Sequence, residues 1–219
     1  MTCELRSPMA RTQQERRETT VAAILGATID TIIEVGYARA TAALIAKRAH
    51  VSDGAIFRHF PTMRELMTAT LGEAGRRQLA LYTSRIAEIP ADARTPESVL
   101  RVLRDISHNA TNGVVYELLV AARTDEKLRA MLKDAISQYQ KDLFHAAASL
   151  PAAESLDAQA RQNFQAMVVV LLNAFDGAAI FQDVLPATEA IEECRINMLA
   201  SLVNSFSSQD QPPATASRN

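Results

Sequence analysis

Residues 41–66, TAALIAKRAHVSDGAIFRHFPTMREL, are the stretch that decides the fold. Thr41 is a favourable N-cap for a short helix that should end near Ala49, because its hydroxyl can accept a hydrogen bond from the first turn. After a three-residue turn, Ser52 is placed to cap a second short helix, which Pro61 ends because proline lacks a backbone N–H. The stretch therefore predicts two short helices set at a steep angle.

The spacing of apolar residues indicates which side of the second helix faces inward. Ile56 and Phe60 are four residues apart and share one face of a helix. Arg58 and His59 then project towards solvent or a binding partner. A helix this short, with basic side chains on its exposed side, has the size needed to enter a groove of DNA.

The helices on either side are predicted from the same signals. In the first helix, Leu44 and Ile45 are expected to face inward. Thr62 and Glu65 form a capping box, with Thr at the cap and Glu three residues later, and this box begins the next helix, the fourth of the chain. That fourth helix should run to about residue 87.

This stretch resembles the DNA-binding region of the tetracycline-repressor (TetR) family of bacterial transcriptional regulators. The resemblance extends over about residues 16–66 and agrees in caps, turn and apolar positions. The positions that carry it are Gly36, Tyr37, Thr41, Ile45, Ala46, Ala49, Val51, Ser52, Ile56, Phe57, His59, Phe60, Glu65 and Leu66.

The resemblance implies three N-terminal helices that bind DNA, joined by the fourth helix to a larger helical domain that binds a ligand and forms a dimer. Two positions depart from the family pattern. His50 stands where the family usually has Gly in a left-handed turn, a conformation that His tolerates better than most residues. Met63 stands where many members have a Lys that contacts a phosphate.

Composition favours an all-α protein of about nine helices. The 219 residues are 48% hydrophobic, contain only 7 Gly and 8 Pro, and show little alternating apolar pattern. The predicted organisation is a flexible basic arm (residues 1–12), a helix-turn-helix DNA-binding domain (13–62), a helical effector-binding and dimerisation domain (63–206) and a disordered tail (207–219).

Charge is unevenly distributed along the chain. Residues 1–64 hold nine Lys and Arg against six Asp and Glu, whereas the rest of the chain holds 14 against 19. The basic part is where a DNA phosphate backbone would be met. An asymmetry of this size also arises by chance, so it supports the motif without replacing it.

Several classes of protein are disfavoured. Cys3 and Cys194 have neither metal-site nor disulfide spacing, and no signal peptide is evident. The longest apolar run, residues 166–172, has seven residues, too few to span a bilayer. We therefore expect a cytoplasmic protein with no metal, no cofactor and no membrane partner.

Candidate DNA contacts follow from position on the two short helices. The second helix begins at its cap, Ser52, and would lie in the major groove. Its best candidates for base-edge contacts are Asp53, Gly54, Ala55 and Arg58. The candidates for phosphate or sugar contacts are Thr41, Lys47, Phe57 and His59.

Residues 164–181 are apolar on nearly all sides, so both sides of the helix they predict must be covered. One interpretation is a core helix within a monomer. We favour a four-helix homodimer interface with the last helix, because a two-fold pair reads two DNA half-sites. The candidate interface residues are Phe164, Val168, Val170, Leu171, Phe175, Met198 and Leu202.

An effector pocket in the larger domain is implied mainly by the resemblance. Candidate lining residues are polar and sulfur-containing side chains in apolar surroundings and Leu71 on the inner side of the fourth helix, although each alone is more often plain core or surface. The candidates are Met67, Leu71, His108, Tyr116, Arg123, Tyr139, Asn163, Met167 and Asn173, together with Asp176. Residues 111–113, Thr-Asn-Gly, are expected to break the chain between helices.

The motif and the family resemblance together imply a dimeric repressor that binds a palindromic operator in double-stranded DNA, and the resemblance implies that an unknown small-molecule effector releases it. One alternative is a helix-turn-helix regulator controlled by a protein partner, or without any effector. An all-α enzyme is a distant third, because no nucleophile motif or glycine-rich phosphate loop is present. A partly apolar cavity in the larger domain would favour the effector, and solid packing would count against it.

Overall fold

The computed structural model of the chain describes residues 12–148 and 157–209. Over these two ranges the chain forms nine α-helices, two short 3-10 helices and no β-strand, which confirms the predicted all-α fold. The helices are α1 (Gln13–Val35), α2 (Ala42–Ala49), α3 (Asp53–His59), α4 (Met63–Glu88), α5 (Pro96–Ser107), α6 (Ala110–Ala122), α7 (Glu126–Ala148), α8 (Ala158–Phe181) and α9 (Glu189–Gln209).

Both predicted terminal segments fall mainly outside the described residues. Of the predicted arm, residues 1–12, only Thr12 is described, and of the predicted tail, residues 207–219, only 207–209 are described. Because α9 continues to Gln209, the helical region extends beyond residue 206.

Side-chain caps set most helix starts. The Glu65 N–H donates to Thr62 Oγ1 at 3.2 Å, so the predicted cap of α4 is confirmed. Thr12 and Glu15 form a capping box at α1 that the sequence analysis did not single out. Thr188 accepts the Ile191 N–H at 3.4 Å one residue before α9.

The expected break at residues 111–113 is wrong, because these residues lie in the first turns of α6. The Asn109 side chain accepts the Thr111 N–H at 2.9 Å and caps the helix two positions earlier than the expected break. Short polar residues and glycine are turn formers when read locally. Directly after a cap, they begin a helix instead.

One hydrophobic core joins the N-terminal helices to the larger helical region. It contains the fully buried Ile45 of α2 and Ile56 of α3, and it continues through Leu66 of α4 to Leu118 of α6 and Leu128 of α7. The predicted domain boundary at residues 62–63 therefore crosses continuous packing. The orientation of α2 and α3 is tied to α4 and α6 as a consequence.

A second core lies between α5, α8 and α9, and it covers only one side of α8. Phe175 is fully buried there, whereas Val170, Ile180 and Phe181 are each at least half exposed. The most apolar 18-residue stretch of α8 has a mean hydropathy of 1.7, and only 17% of that stretch is buried. The apolar face of α8 is thus largely uncovered within the chain.

By length and composition, α8 is the one helix among the described residues that could cross a membrane. The apolar run in residues 166–172 understates this length, because scattered Asn and Asp interrupt the run without lowering the mean hydropathy much. The indication is weak, since core helices of soluble proteins meet the same test.

Candidate nucleic-acid interface and effector cavity

The turn between α2 and α3 has the geometry that the sequence predicts. His50 adopts the left-handed conformation, with φ 55° and ψ 40°, and it is the non-glycine residue with positive φ in the described ranges. The Val51 N–H donates to the Ala46 carbonyl at 3.0 Å, which closes the end of α2. The Ala55 N–H donates to Ser52 Oγ at 3.2 Å, which starts α3.

His50→Gly should raise the free energy of unfolding by about 0.5–1 kcal/mol, because Gly adopts the left-handed conformation without the steric penalty of a Cβ atom. The greater freedom of Gly in the unfolded chain limits the gain. Urea denaturation of the two proteins measures the difference. His50→Ala is the control and should be less stable than the parent; equal stability of the Gly and Ala variants would contradict the role of backbone conformation.

The nine predicted DNA-contact residues lie together in the α2–α3 unit. The buried Ile56 fixes α3 against the core, and the opposite side of α3 points outward. Leu44 was expected to face inward, but its side chain is 44% exposed. The exposed candidates are Thr41, Lys47, Ser52, Asp53, Gly54, Phe57 and Arg58, and the half-buried ones are Ala55 and His59.

Pairing within the protein separates the basic side chains into two groups. Arg48 pairs with Glu34, and Arg64 pairs with Asp125 at 3.1 Å. Neither Lys47 nor Arg58 forms a side-chain hydrogen bond or ion pair within the described ranges. The side chains of Lys47 and Arg58 can consequently bind a polyanion without breaking an interaction within the described residues.

Two adjoining cavities open the larger helical region. The Asp176 cavity, of about 390 Å³, lies between α4, α5, α6, α7 and α8. The Arg94 cavity, of about 440 Å³, lies towards α9. Their linings share the side chains of Tyr82, Leu103, Leu143 and Leu172. The larger region is therefore not packed solid.

The structure brings six of the ten predicted effector residues to these cavities. Leu71, Tyr116, Tyr139 and Asn173, together with Asp176, line the Asp176 cavity, and Met167 lines the Arg94 cavity. Met67 is packed in the core, and His108 borders a separate, open groove beside α9. Arg123 and Asn163 are exposed and belong to neither lining.

Sequence analysis missed Gln78 and Tyr82, which line the Asp176 cavity from α4. A signal for them exists in the spacing of Leu71, Gly75, Gln78 and Tyr82, which repeats every three to four residues along one face. A glutamine on such an inward face indicates a polar site within the larger region.

The polar centre of the Asp176 cavity is a hydrogen-bonded cluster. Asp176 Oδ1 accepts hydrogen bonds from Tyr116 Oη at 2.6 Å and from Ser107 Oγ at 3.0 Å. Burial and the hydrogen bond to the Asp176 carboxylate raise the pKa of Tyr116. Burial and the charge of Asp176 raise the pKa of Tyr139 to about 12. Both phenols are therefore neutral near physiological pH.

The predicted dimer residues divide between the two sides of α8 and α9. Val170, Met198 and Leu202 are 50%, 69% and 37% exposed. Phe164 and Val168 are half-buried and line the Arg94 cavity. All three exposed residues remain candidates for contact with a second subunit.

The assignment of Leu171 and Phe175 to the interface is corrected by their burial, since they are 8% and 0% exposed within one protomer. Residues 164, 168, 171 and 175 repeat at helical spacing and form the inward stripe of α8. The helix is apolar on all sides, so its sequence gives no means of choosing between the inner and outer stripes.

A helix-turn-helix docked on a helical body is the architecture of a bacterial transcriptional regulator, and the comparisons agree. Residues 24–70 match the family model described as bacterial regulatory proteins, tetR family. The chain is 55% identical over 195 residues to HTH-type transcriptional regulators of Mycobacterium tuberculosis and Mycobacterium bovis, covering 89% of this chain and 98% of theirs. The chain belongs to the TetR family of transcriptional regulators.

Solved structures with low sequence identity share the fold. The multidrug binding protein EbrR, in complex with imidazole, has a TM-score of 0.61 at 22% identity, covering 92% of this chain and 98% of its own. A putative TetR-family regulator from Mesorhizobium loti has a TM-score of 0.66 at 12% identity, covering 87% and 97%.

Proposed function

We propose that this chain is a cytoplasmic repressor that binds a palindromic operator as a homodimer and is released by a small-molecule effector. TetR-family regulators bind DNA and are typically dimers. The observation that carries the DNA-binding role is the exposed side of α3, where the unpaired Arg58 stands opposite the buried Ile56. In this proposal α3 lies in the major groove, as recognition helices of this motif do.

Each exposed candidate takes a role set by its chemistry. The Arg58 guanidinium suits the paired acceptors of guanine, and the Asp53 carboxylate can accept from a cytosine amine. Lys47, on α2, suits a phosphate and so fixes the position of the protein on the duplex. Thr41 and Ser52 accept backbone N–H groups of α2 and α3 with their hydroxyl oxygens, so each hydroxyl hydrogen remains available to donate to a phosphate.

The operator itself is found by mapping the DNA that the protein protects around its own gene. We expect a two-fold symmetric site with half-sites about 34–36 Å apart, one turn of the duplex. An asymmetric site of a single half-site length would contradict the dimeric mode of binding. Failure to protect any sequence over random DNA would contradict the function as a whole.

Arg58→Ala should weaken operator binding by about 1–3 kcal/mol and relax the base preference at one position in each half-site. Lys47→Ala is the matched control, because it should weaken binding to every sequence and reduce the salt dependence. Titrations of both variants against operator and scrambled duplexes measure this. An equal loss on both duplexes for Arg58→Ala would show that Arg58 contacts only the backbone.

The homodimer is supported by the outer faces of α8 and α9. Val170, Phe181 and Met198 are all at least half exposed. Large apolar side chains left exposed on neighbouring helices are typical of an interaction surface, so a partner surface of the same composition is the natural cover. We expect the interface to bury well over about 1,000 Å².

The effector is supported by the two cavities, which favour it over control by a protein partner or no control at all. Their volumes, about 390 and 440 Å³, fall within the usual range for small-molecule sites. The structural neighbour EbrR has been solved with imidazole and with ethidium. Because α4 contributes to both linings through Tyr82, a ligand in either cavity touches the helix that continues from α3.

A further inference from the structure

The Asp176 cavity carries one charge and no partner for it. Of the side chains that line it, Asp176 is the one carboxyl group, and the lining includes no Lys, Arg or His. Asp176 forms no ion pair within the described ranges. The neighbouring Arg104 lies outside this lining and pairs with Asp105 at 2.7 Å.

The hydrogen bonds to Asp176 position its carboxylate without neutralising it. Tyr116 and Ser107 donate to the same oxygen, Oδ1, and Asn112 Nδ2 lies 3.5 Å from it. No described group donates to Oδ2. Because neutral donors leave the net charge in place, a carboxylate in a mainly apolar cavity favours the entry of a cation.

A second, independent observation comes from α4 on the opposite wall. Gln78 is 2% exposed, and its Nε2 has no hydrogen-bond partner in the described part of the chain. A buried amide donor without an acceptor is destabilising, and an acceptor atom of a ligand would remove that penalty. Among the described residues, the cavity therefore contains a carboxyl group without a counter-ion and an amide N–H without an acceptor.

Aromatic rings complete the lining. Tyr82, Tyr116 and Tyr139 all border the same cavity. Tyr139 packs directly on Gly75 of α4, where an added Cβ atom would come within 2.7 Å of the ring. Aromatic faces attract cations as well as apolar groups, and the remaining lining is mostly Leu, Ile and Val.

From these contacts we propose that the effector is a lipophilic cation, an ammonium or similar centre on an aromatic or aliphatic body. Asp176 supplies the counter-charge, the tyrosines surround the cation, and Gln78 donates to an acceptor atom of the ligand. The inference rests on the proposed function, since it takes the Asp176 cavity as the effector site. The competing possibility is an anionic ligand, which would be attracted by the positively charged Arg94 in the adjoining cavity.

Three probes of one shape separate these outcomes: phenyltrimethylammonium, its uncharged isostere tert-butylbenzene, and benzoate. Binding to the full-length protein is measured by ligand-observed NMR, which detects weak complexes. We expect the cation to bind at least about tenfold more tightly than the isostere. Equal affinities, a preference for benzoate, or no binding of the cation would each overturn the proposal.

Asp176→Asn tests the residue itself, because the amide oxygen can still accept from Tyr116 and Ser107. We expect this variant to lose the preference for the cation while its affinity for tert-butylbenzene is unchanged. Asp134→Asn, on the exposed side of α7, is the matched control and should keep the preference. Gln78→Leu should keep it as well, since the charge remains. A preference that survives in Asp176→Asn would overturn the assignment.

Operator binding, measured on the same preparations without ligand, distinguishes a failure of the cation inference from a failure of the proposed function. A protein that binds its operator and is released only by uncharged or anionic compounds keeps the proposed function and refutes the cation inference. A protein that binds no operator fails at the earlier step, whatever its ligand preference.

Discussion

Val170→Asp should convert the protein from dimers to monomers and lower its operator affinity by a factor on the order of 10² to 10⁴, the gain that linking two binding units provides. Val170 lies near the middle of α8 and is 50% exposed on the side that faces away from the protomer core. A carboxylate placed there would be buried in the interface without a partner, which is costly. The protomer itself should tolerate the change, because the side chain already reaches solvent.

Sedimentation or light scattering at micromolar concentration measures the association state, and a titration with operator DNA measures the consequence. Val120→Asp is the matched control, since Val120 is 57% exposed on α6, a different helix. It should remain dimeric and bind operator normally. A monomeric parent protein, or a Val170→Asp variant that stays dimeric, would show that α8 is not the interface.

Local signals sufficed to predict the α2–α3 unit. The caps at Ser52 and Thr62 and the left-handed turn at His50 depend on neighbours within four residues, and all three are present in the structure. Leu44 shows the limit of such signals. It meets the spacing rule for an inward residue, yet α2 has only two buried positions, and these are Ile45 and Ala46.

In the larger helical region, the sequence predicts most of the helices but does not predict which residues line the cavities. The packing of α5 and α9 against α8 determines which stripe of α8 faces the core, and no local sequence pattern predicts that packing. Arg123 and Asn163 were chosen as polar residues in apolar segments, but they turn outward at a helix end and on the exposed side of α8. The sequence does not reveal the role of Gln78, because a single amide among the polar residues of α4 is distinguished only by its burial.

The second large effect concerns coupling between effector and operator. Leu66 of α4 belongs to the core that holds α2 and α3, while Gly75 and Gln78, further along the same helix, line the Asp176 cavity. Of the two α4 residues that the sequence analysis proposes as effector contacts, Met67 and Leu71, only Leu71 reaches the lining, so the contact with α4 is centred on residues 71–82.

A second connection runs through α6. Tyr116 lines the Asp176 cavity, and the next residue, Glu117, accepts the backbone N–H of Tyr37 just after α1. A ligand that displaces Tyr116 would therefore move α6 against α1 as well as tilting α4. In the proposed dimer, the distance between the two α3 helices must match one turn of DNA, about 34–36 Å, so a shift of a few ångströms would be enough to lose the operator.

A ligand identified by its ability to release operator DNA should bind the free protein about 5- to 150-fold more tightly than the protein–operator complex, which corresponds to a coupling of about 1–3 kcal/mol. Calorimetry with and without saturating operator measures both affinities. By linkage, the ligand must weaken operator binding by the same factor, so the two titrations check each other.

Glu117→Ala then separates the two routes. It removes the α6 contact with Tyr37 while leaving both cavity linings and α4 intact. If α6 carries part of the coupling, ligand affinity for the free protein stays the same and the difference between free and operator-bound protein shrinks. Unchanged coupling in this variant would assign the switch to α4 alone. Identical ligand affinities with and without operator in the parent protein would rule out the mechanism by either route, since a ligand that binds both states equally cannot shift the balance between them.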